Sequence, residues 1–245
     1  MSGHSHARTI KHQKTITDQK RGQMFSKMVR VISVAVKQGG PNPEINSKLR
    51  VAIEQAKQFR LPKENIERAI KQATGGGGEE ANLEEVVFEA YGPGGIAIIV
   101  EGITDNKNRT LGEIKQILNQ NGGKLAQEGS VRWMFERKGV IAVNCQSQTE
   151  TLRNKEDLEL KTIEAGAEDV YRYDDAFDIH TRAEDLEKVK KNLEDQGVKI
   201  ESSGLDWAPK EEINLEGKDK ESAQKLFDAL DENNDVQEIY SNLKI

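Results

Sequence analysis

Four consecutive glycines, Gly75 to Gly78, interrupt this chain of 245 residues. Such a run can neither continue a helix cheaply nor form a packed strand, so it divides the chain into two parts. Apolar residues recur at helical spacing before it and at strand spacing after it, which predicts a helical segment, a hinge over residues 76–79 and then α+β structure. A phosphate-binding glycine loop is the alternative, but Glu79 and Glu80 follow where such a loop needs Lys and Ser or Thr.

Three amphipathic helices are predicted before the glycines. The first spans Asp18 to Gln38, the second runs from about Glu44 to Phe59, and the third begins at Pro62, a residue that suits the first turn of a helix. Three short helices can pack into one small bundle. Residues 1–75 are therefore predicted to be a basic arm followed by a helical bundle.

Two α+β domains are predicted beyond the hinge, one inserted into the other. Strands 85–91 and 96–102, helix 107–121 and strand 130–137 begin the outer domain. The next elements have the βαββαβ order of a ferredoxin-like unit. Its predicted strands are 139–145, 168–173, 177–181 and 198–204, and its predicted helices are 150–165 and 183–196. A strand near 207–215, helix 218–231 and strand 235–240 then return to the outer domain. The outer domain is thus residues 80–136 plus 207–245, and the inserted domain is residues 137–206.

The charge of the chain is strongly polarised. Residues 1–75 hold 15 Lys and Arg against 5 Asp and Glu, whereas residues 76–245 hold 21 against 37. A basic end on an acidic body predicts that a polyanion is bound at one end and repelled elsewhere. The expected partner is nucleic acid, and charge alone does not distinguish DNA from ribosomal RNA.

The cations expected to contact phosphate lie in the arm, at the start of the first helix and in the polar loop 104–110. Dense cations on a flexible arm can follow a groove, and loops that follow strands often carry function. A solvated tail is the alternative for the arm, and helix capping by Asp105, Asn106 and Asn108 is the alternative for the loop. The candidate nucleic-acid contacts are Arg8, Lys11, His12, Lys14, Lys20, Arg21, Lys27, Lys107 and Arg109.

Metal and catalytic sites have little support in the sequence. Ser2-Gly3-His4 could bind Cu(II) or Ni(II), but no cysteine or acid lies near the first three histidines to close a tetrahedral zinc site. Asp174, Asp175 and Asp178 form a carboxylate cluster between two predicted strands, where a solvated turn explains them better. His180 lies within a strand pattern, and the sequence around it does not indicate a Ser-His-Asp catalytic triad. No catalytic residue, cofactor or metal is expected, and the chain is predicted not to be an enzyme.

The remaining residues that stand out are expected in the core. Trp133 and Phe135 alternate at strand spacing, and Cys145, the only cysteine of the chain, ends the predicted strand 139–145. A single cysteine excludes an intramolecular disulfide and fits a reducing compartment, so we expect a cytoplasmic location. No apolar stretch approaches the roughly 20 residues that span a bilayer, so no membrane partner is expected. A monomer is favoured.

Five stretches of the sequence together resemble the YebC family over nearly the whole chain. They read GHSHARTIKHQK, DQKRGQMFSKMVR, LPKENIERAIK, AYGPGGIAIIVEGITDNKNRT and GSVRWMFERKG. The resemblance implies a helical domain followed by two α+β domains, and no established enzymatic activity. It implies a transcriptional regulator that binds DNA, with a ribosome-associated translation factor or translational activator as the alternative. Relatives often have Lys-Trp after Gly-His-Ser, and this chain has His6-Ala7, so His6 would have to supply any stacking on bases there.

Overall fold

The computed structural model describes residues 18–75, 82–149, 154–172 and 176–244. By their contacts, the described residues up to Val131 pack with Leu215–Ile239 into one compact unit, here called the first unit. Arg132–Asn214 pack with the residues from Tyr240 onward into the second unit. No helix in the described ranges is both long enough and apolar enough to cross a membrane.

Three helices open the first unit: α1 (Asp18–Gly39), α2 (Ser47–Gln58) and α3 (Lys63–Thr74). Their apolar stripes meet in one core cluster. Asn46 caps α2, since its Oδ1 accepts from Leu49 N at 3.0 Å, and its Nδ2 donates to Ala35 O in α1 at 2.8 Å. The three predicted helices are confirmed, and α2 begins later than predicted because Asn46 caps it by accepting from one of its free N–H groups, that of Leu49.

A four-stranded sheet with two helices completes the first unit. The hairpin of β1 (Glu84–Tyr91) and β2 (Ala97–Thr104) is antiparallel, and Gly94 and Gly95 turn it with positive φ angles of 66° and 78°. Helix α4 (Lys107–Gln120), the short strand β3 (Lys124–Leu125), α7 (Gly217–Asp231) and β8 (Val236–Ser241) complete this part. The strand order is β3-β1-β2-β8, so a strand from the end of the chain lies next to β2.

The second unit holds the other four-stranded sheet. Its elements are β4 (Phe135–Asn144), α5 (Lys155–Ala165), β5 (Asp169–Arg172), β6 (Ala176–Arg182), α6 (Leu186–Asp195) and β7 (Ser202–Pro209). The strand order is β5-β6-β4-β7 with every neighbouring pair antiparallel, which is the ferredoxin-like arrangement. Ile141, Phe177 and Leu193 lie in its core cluster. The predicted α+β class, with a ferredoxin-like unit inserted in a second α+β domain, is confirmed, whereas the domain borders stay predictions.

Two of the predicted strands are wrong. The segment predicted as strand 130–137 is a turn followed by a short 3-10 helix, Arg132–Met134, and the strand that begins at Phe135 continues to Asn144. The buried carboxylate of Glu89 explains the turn, because it accepts from Gly129 N at 2.7 Å and from Val131 N at 2.6 Å. Those N–H groups are then not available to pair with a neighbouring strand. The third strand of the first sheet is β3 instead.

The strand predicted near 207–215 is also wrong. A single strand, β7, replaces the two strands predicted at 198–204 and 207–215, and it pairs with β4 along its length. Beyond it, Ile213 makes only an isolated parallel bridge to Leu243. The predicted core places are confirmed for Phe135 and Cys145, which are buried. Trp133 was predicted in the core with them, and this is wrong, because 65% of the residue is exposed.

Candidate nucleic-acid interface

The structure describes only part of the predicted contact set. Arg8, Lys11, His12 and Lys14 lie outside the described residues, and so does the side chain of Lys20. The remaining four members fall in two places. Arg21 and Lys27 lie on α1, and Lys107 and Arg109 lie in the first turn of α4.

The three helices carry an excess of exposed cations. Residues 21–75 hold eleven Lys and Arg against four Asp and Glu. Nine of the eleven are exposed. Within the described part of the chain, their one ion pair joins Lys63 Nζ to Glu67 Oε1 at 3.6 Å, and both side chains are largely in water. We call these nine the helix cations: Arg21, Lys37, Lys48, Arg50, Lys57, Arg60, Lys63, Arg68 and Lys71.

Arg60 has a backbone conformation that favours glycine. It follows α2 with φ of 59°, the one positive φ among the described non-glycine residues. Arg60 N donates to Lys57 O and Leu61 N to Ala56 O, both at 2.9 Å, which is the pairing of a Schellman motif. A left-handed conformation costs a residue with a side chain about 1–2 kcal/mol. An exposed cation therefore occupies a position where glycine would stabilise the fold more.

Lys27 and Arg30 do not belong to the exposed surface of α1, although Lys27 is one of the predicted nucleic-acid contacts. Lys27 is 5% exposed, and its Nζ donates to Asp231 O at 2.8 Å and to Asp231 Oδ1 at 3.1 Å. Arg30 Nη1 donates to Ile103 O and Asn234 O, each at 3.1 Å. Both side chains bind α1 to the sheet and to the end of α7, and the prediction that Lys27 is a surface cation is wrong.

Asp235 is the centre of the contact between α1, α4 and the loop before β8. Its Oδ2 accepts from Arg109 Nη2 at 2.9 Å and from Thr110 Oγ1 at 2.6 Å, and its Oδ1 accepts from Arg30 Nη1. Burial raises the pKa of Asp235, but the hydrogen bonds from Thr110, Arg30 and Arg109 outweigh burial and lower the pKa to about 2. The carboxylate is therefore charged throughout the physiological pH range. We call this cluster of Arg30, Arg109, Thr110 and Asp235 the Asp235 tie.

The polar loop 104–110 serves first as a helix cap. Asn106 Oδ1 accepts from Arg109 N at 3.1 Å, as the capping alternative predicted. The Arg109 guanidinium also pairs with Asp105 at 2.7 Å, and the hydrogen bonds to Asp105 and Asp235 raise the pKa of Arg109. The hydrogen bond from Arg109 in turn lowers the pKa of Asp105. Lys107 is exposed, so of the two predicted loop contacts it is the one that carries no ion pair within the described ranges.

A cleft of about 670 Å³ lies between α1, α3 and this loop. Its wall includes the apolar side chains of Phe25 and Leu61, the amide of Asn65 and the guanidinium groups of Arg68 and Arg109. The volume is in the range of small-ligand sites. Because the Asp235 tie neutralises Arg109 and Arg30, Arg68 is the cation of this wall that is exposed and makes no ion pair with a described acid. The cleft can thus accept one phosphate beside a neutral, partly apolar surface.

Among the described residues, the carboxylate and histidine candidates do not come together in a site. Asp174 and Asp175 lie outside the described residues, and Asp178 is fully buried in β6, so the predicted solvated turn is wrong for Asp178. His180 lies in the same strand, as predicted, with its ring 4.6 Å from that of Tyr171. No cluster of His, Cys, Asp and Glu within the described ranges could hold a metal ion.

The Asp235 tie and the exposure of Trp133 are the features that sequence reasoning missed. Asp235 lies 205 residues from Arg30 and 126 from Arg109, and no periodic pattern pairs charges over such distances. The only local signal was an Asp within a short polar turn between a helix and a strand. Trp133 had a misleading signal, because Val131, Trp133 and Phe135 alternate as they would in a strand.

Two family models match the chain. The model described as the TACO1/YebC protein N-terminal domain matches residues 5–76. The model described as the TACO1/YebC second and third domain matches residues 83–243. Together they leave only short segments of the chain unmatched.

Similar proteins match over almost their whole length. A protein of Caldanaerobacter subterraneus subsp. tengcongensis, named a probable transcriptional regulatory protein, is 48% identical over 245 residues, covering 100% of this chain and 99% of the relative. One from Dehalococcoides mccartyi with the same description is 46% identical over 242 residues, covering 99% and 94%. The crystal structure of a conserved hypothetical protein from Aquifex aeolicus is 45% identical with a TM-score of 0.82, covering 93% of this chain and 92% of that chain.

Proposed function

Since the chain belongs to the TACO1/YebC family, we propose that it is a non-enzymatic regulator of gene expression that binds nucleic acid, with DNA as the target. The relatives described as transcriptional regulatory proteins support the regulatory role. The choice of DNA extends that description to this chain. The lone cysteine, Cys145, is consistent with action in the reducing cytoplasm.

The observation that carries the proposal is the set of helix cations. Eight of the nine make no ion pair within the described part of the chain, so their charge is available to a polyanion. Binding of phosphates by Lys and Arg releases condensed counterions from the nucleic acid, and this release favours association without any base contact. Such contacts position a protein on a duplex and do not specify a sequence. The proposed activity is therefore binding at the basic end, with sequence preference supplied by other contacts.

The acidic part of the chain defines the orientation of this binding. Residues 76–245 carry an excess of 16 negative charges, which repel the phosphates that the helices attract. We infer that the arm residues Arg8, Lys11, His12, Lys14 and Lys20 extend the helix cations along the same nucleic acid. Lys107 would add a contact at the loop, whereas Arg109 would contribute indirectly by holding α4 to Asp235.

A ribosome-associated translation factor is the second candidate, and the exposed Trp133 favours it. An exposed indole can stack on an unpaired base, and ribosomal RNA presents unpaired bases in its loops. Phosphate contacts by the helix cations suit both targets equally. The targets must therefore be distinguished by what the protein binds in cells.

Crosslinking in cells, followed by sequencing of the attached nucleic acid, tests this proposal. The test variant carries Lys57→Ala, Arg60→Gly, Arg68→Ala and Lys71→Ala and is called the helix-cation variant. The matched control removes four exposed lysines from the acidic part, Lys188→Ala, Lys218→Ala, Lys220→Ala and Lys225→Ala, and is called the lysine control.

We expect wild type and the lysine control to crosslink to discrete promoter fragments, and the helix-cation variant to lose most of this signal. Ribosomal RNA reads, with co-sedimentation on ribosomes in a sucrose gradient, would establish the second candidate instead. Equal recovery of nucleic acid by all three proteins would refute the proposed role of the helix cations.

A further inference from the structure

One face of α3 forms a wall of the cleft that lies between α1, α3 and the loop 104–110. Asn65, Arg68, Ala69 and Gln72 line the cleft, and their spacing of three and four residues places them together on the helix surface. Ala69 is small and buried, so it leaves room between the longer side chains. Every residue that lines the cleft belongs to the first unit. This face of α3 therefore presents two amides and one guanidinium group around a small residue.

The polar groups of this wall are not used by the fold. Within the described part of the chain, the side-chain amides of Asn65 and Gln72 make no hydrogen bond, and Arg68 makes no ion pair. An amide offers a donor beside an acceptor, and a guanidinium group offers donors only. These three side chains can therefore bind a ligand without breaking a contact among the described residues.

The side of the cleft that α1 provides is mainly apolar and is held in place. Phe25 and Val29 lie one turn apart, are half-buried and pack against the core of the helical bundle. The guanidinium carbon of Arg21 is 5.6 Å from the centroid of the Phe25 ring, a cation–π contact that helps to fix the ring. Leu61, which is buried, adds a further apolar group. A flat ligand can pack on this surface while its edge reaches the amides of α3.

The charge of the wall suits a ligand with one negative charge in the cleft. The carboxylates of Asp105 and Asp235 pair with Arg109, and Asp235 also pairs with Arg30. Arg68 is thus the cation of the wall that no described acid balances. Lys71 follows Arg68 by one turn of α3 and is exposed, so a second negative charge can bind just beyond the cleft.

We propose that this cleft binds one unpaired nucleotide of a nucleic-acid strand, an inference that rests on the proposed function. The base packs on Phe25, its edge forms hydrogen bonds with the amides of Asn65 and Gln72, and Arg68 binds its phosphate. Amide side chains match base edges, because a base edge also presents a donor beside an acceptor. Extruding a base costs least where it has no pairing partner. The cleft therefore adds a preference for unpaired positions to the phosphate binding of the helix cations.

A free nucleotide carries the same base and phosphate, so it is the other source of this ligand. A strand is favoured because the helix cations continue along α3 beyond the cleft, at Lys71. They can bind the phosphates that flank the unpaired nucleotide, and a free nucleotide has no flanking phosphates.

The test compares binding of two labelled DNA duplexes by fluorescence anisotropy. The duplexes share one sequence, and one of them carries a single unpaired adenine. The variants are Phe25→Leu, which removes the flat ring and keeps an apolar side chain, and Asn65→Ala, which removes an amide outside the core. Phe59→Leu is the matched control, because Phe59 is also half-buried and packs against the same core but does not line the cleft. Circular dichroism and melting temperature verify that each variant is folded.

We expect wild type to bind the duplex with the unpaired adenine at least about 5-fold more tightly than the paired duplex. Phe25→Leu should reduce this preference to less than about 2-fold. Asn65→Ala should reduce it by at least about 2-fold, and Phe59→Leu should keep it. The paired duplex should bind all three variants as it binds wild type, and it should bind the helix-cation variant more weakly. A paired duplex that binds wild type and the helix-cation variant equally would contradict the proposed function, whereas a missing preference contradicts the cleft alone.

Equal binding of the two duplexes by wild type would overturn the proposal. So would an equal loss of preference in Phe59→Leu and Phe25→Leu, and if Phe25→Leu does not fold, an unchanged preference in Asn65→Ala would do so. Calorimetric binding of adenosine monophosphate without a preference for the unpaired adenine would overturn the assignment to a strand. A photo-crosslinking residue at position 26 of the cleft wall that captures one defined protein in cells, with no attached nucleic acid, would assign the cleft to a protein partner instead.

Discussion

Replacing Asp235 by Asn removes the negative charge that holds α1 and α4 to the loop before β8. The side chain of Asp235 is 5% exposed, and it accepts hydrogen bonds from two guanidinium groups and from Thr110. Breaking a fully buried ion pair costs about 3–5 kcal/mol. The side chains of Arg30 and Arg109 are 27% and 43% exposed, so water compensates part of the loss, and Arg109 also retains Asp105.

The pKa of Asp235 also indicates how much its charge stabilises the fold. A decrease from the usual 3.8 to about 2 corresponds to about 2 kcal/mol of preference for the charged form in the fold. We therefore expect Asp235→Asn to lower the free energy of unfolding by about 2 kcal/mol at pH 7. The pKa of Asp235 is lower in the folded protein than in the unfolded chain. The charged carboxylate therefore contributes its full stabilisation above about pH 4, and this stabilisation is lost as the pH falls toward 2.

Urea denaturation at pH 7 and across pH 2–5 measures this loss. Asp231→Asn is the control, since its carboxylate side chain is 69% exposed and pairs with Lys27 alone among the described residues. We expect Asp235→Asn to lower the free energy of unfolding by about 2 kcal/mol at pH 7 and the control to lower it by less than about 1 kcal/mol. The difference between wild type and Asp235→Asn should shrink below pH 4. A loss under about 0.5 kcal/mol, or one that is the same at pH 2 and pH 7, would refute the assigned role of the carboxylate.

Four further substitutions test individual contacts. Arg60→Gly should raise the free energy of unfolding by up to about 1 kcal/mol in urea melts, because it relieves a left-handed backbone, while it weakens DNA binding in an anisotropy titration; a less stable variant would contradict the assigned strain. Gly102→Ala should cost about 1–3 kcal/mol, since its Cβ would lie 2.6 Å from Asp235 O, and an unchanged melting temperature would contradict that close approach. Lys27→Met should lower the free energy of unfolding by about 1 kcal/mol and leave DNA affinity unchanged. Arg21→Ala should leave the free energy of unfolding unchanged and weaken DNA binding. A loss of DNA binding in Lys27→Met would place the Lys27 ammonium at the interface.

The helices and the ferredoxin-like order were predictable because their signals are local. Leu49 and Ile66 lie on apolar stripes that repeat at helical spacing, and they pack as that spacing indicates. The hairpin turn at Gly94 and Gly95 was equally readable, since its positive φ angles need glycine. Each of these predictions depends on residues within a few positions of one another.

The errors arose where a distant residue decides the local structure. The alternation of apolar residues around Trp133 indicates a strand. The segment before Trp133 forms a turn instead, because its backbone N–H groups donate to the carboxylate of Glu89, about 40 residues earlier in the chain. Likewise, Lys27 and Arg30 follow the polar face of α1, yet their partners lie 204 and 205 residues further along the chain. Charge counts locate a basic domain, but they do not separate cations that bind inside the protein from those that face solvent.

The salt dependence of DNA binding tests the role of the helix cations most directly. Anisotropy titrations of one labelled duplex at several concentrations of monovalent salt give the slope of log K against log salt concentration, which is about −0.9 for each phosphate contact. We predict that the helix-cation variant binds more weakly than wild type and has a slope smaller in magnitude by about 0.9 for each contact removed. The lysine control should keep the wild-type slope. Identical slopes for wild type and the helix-cation variant would contradict the claim that these helices bind the phosphates.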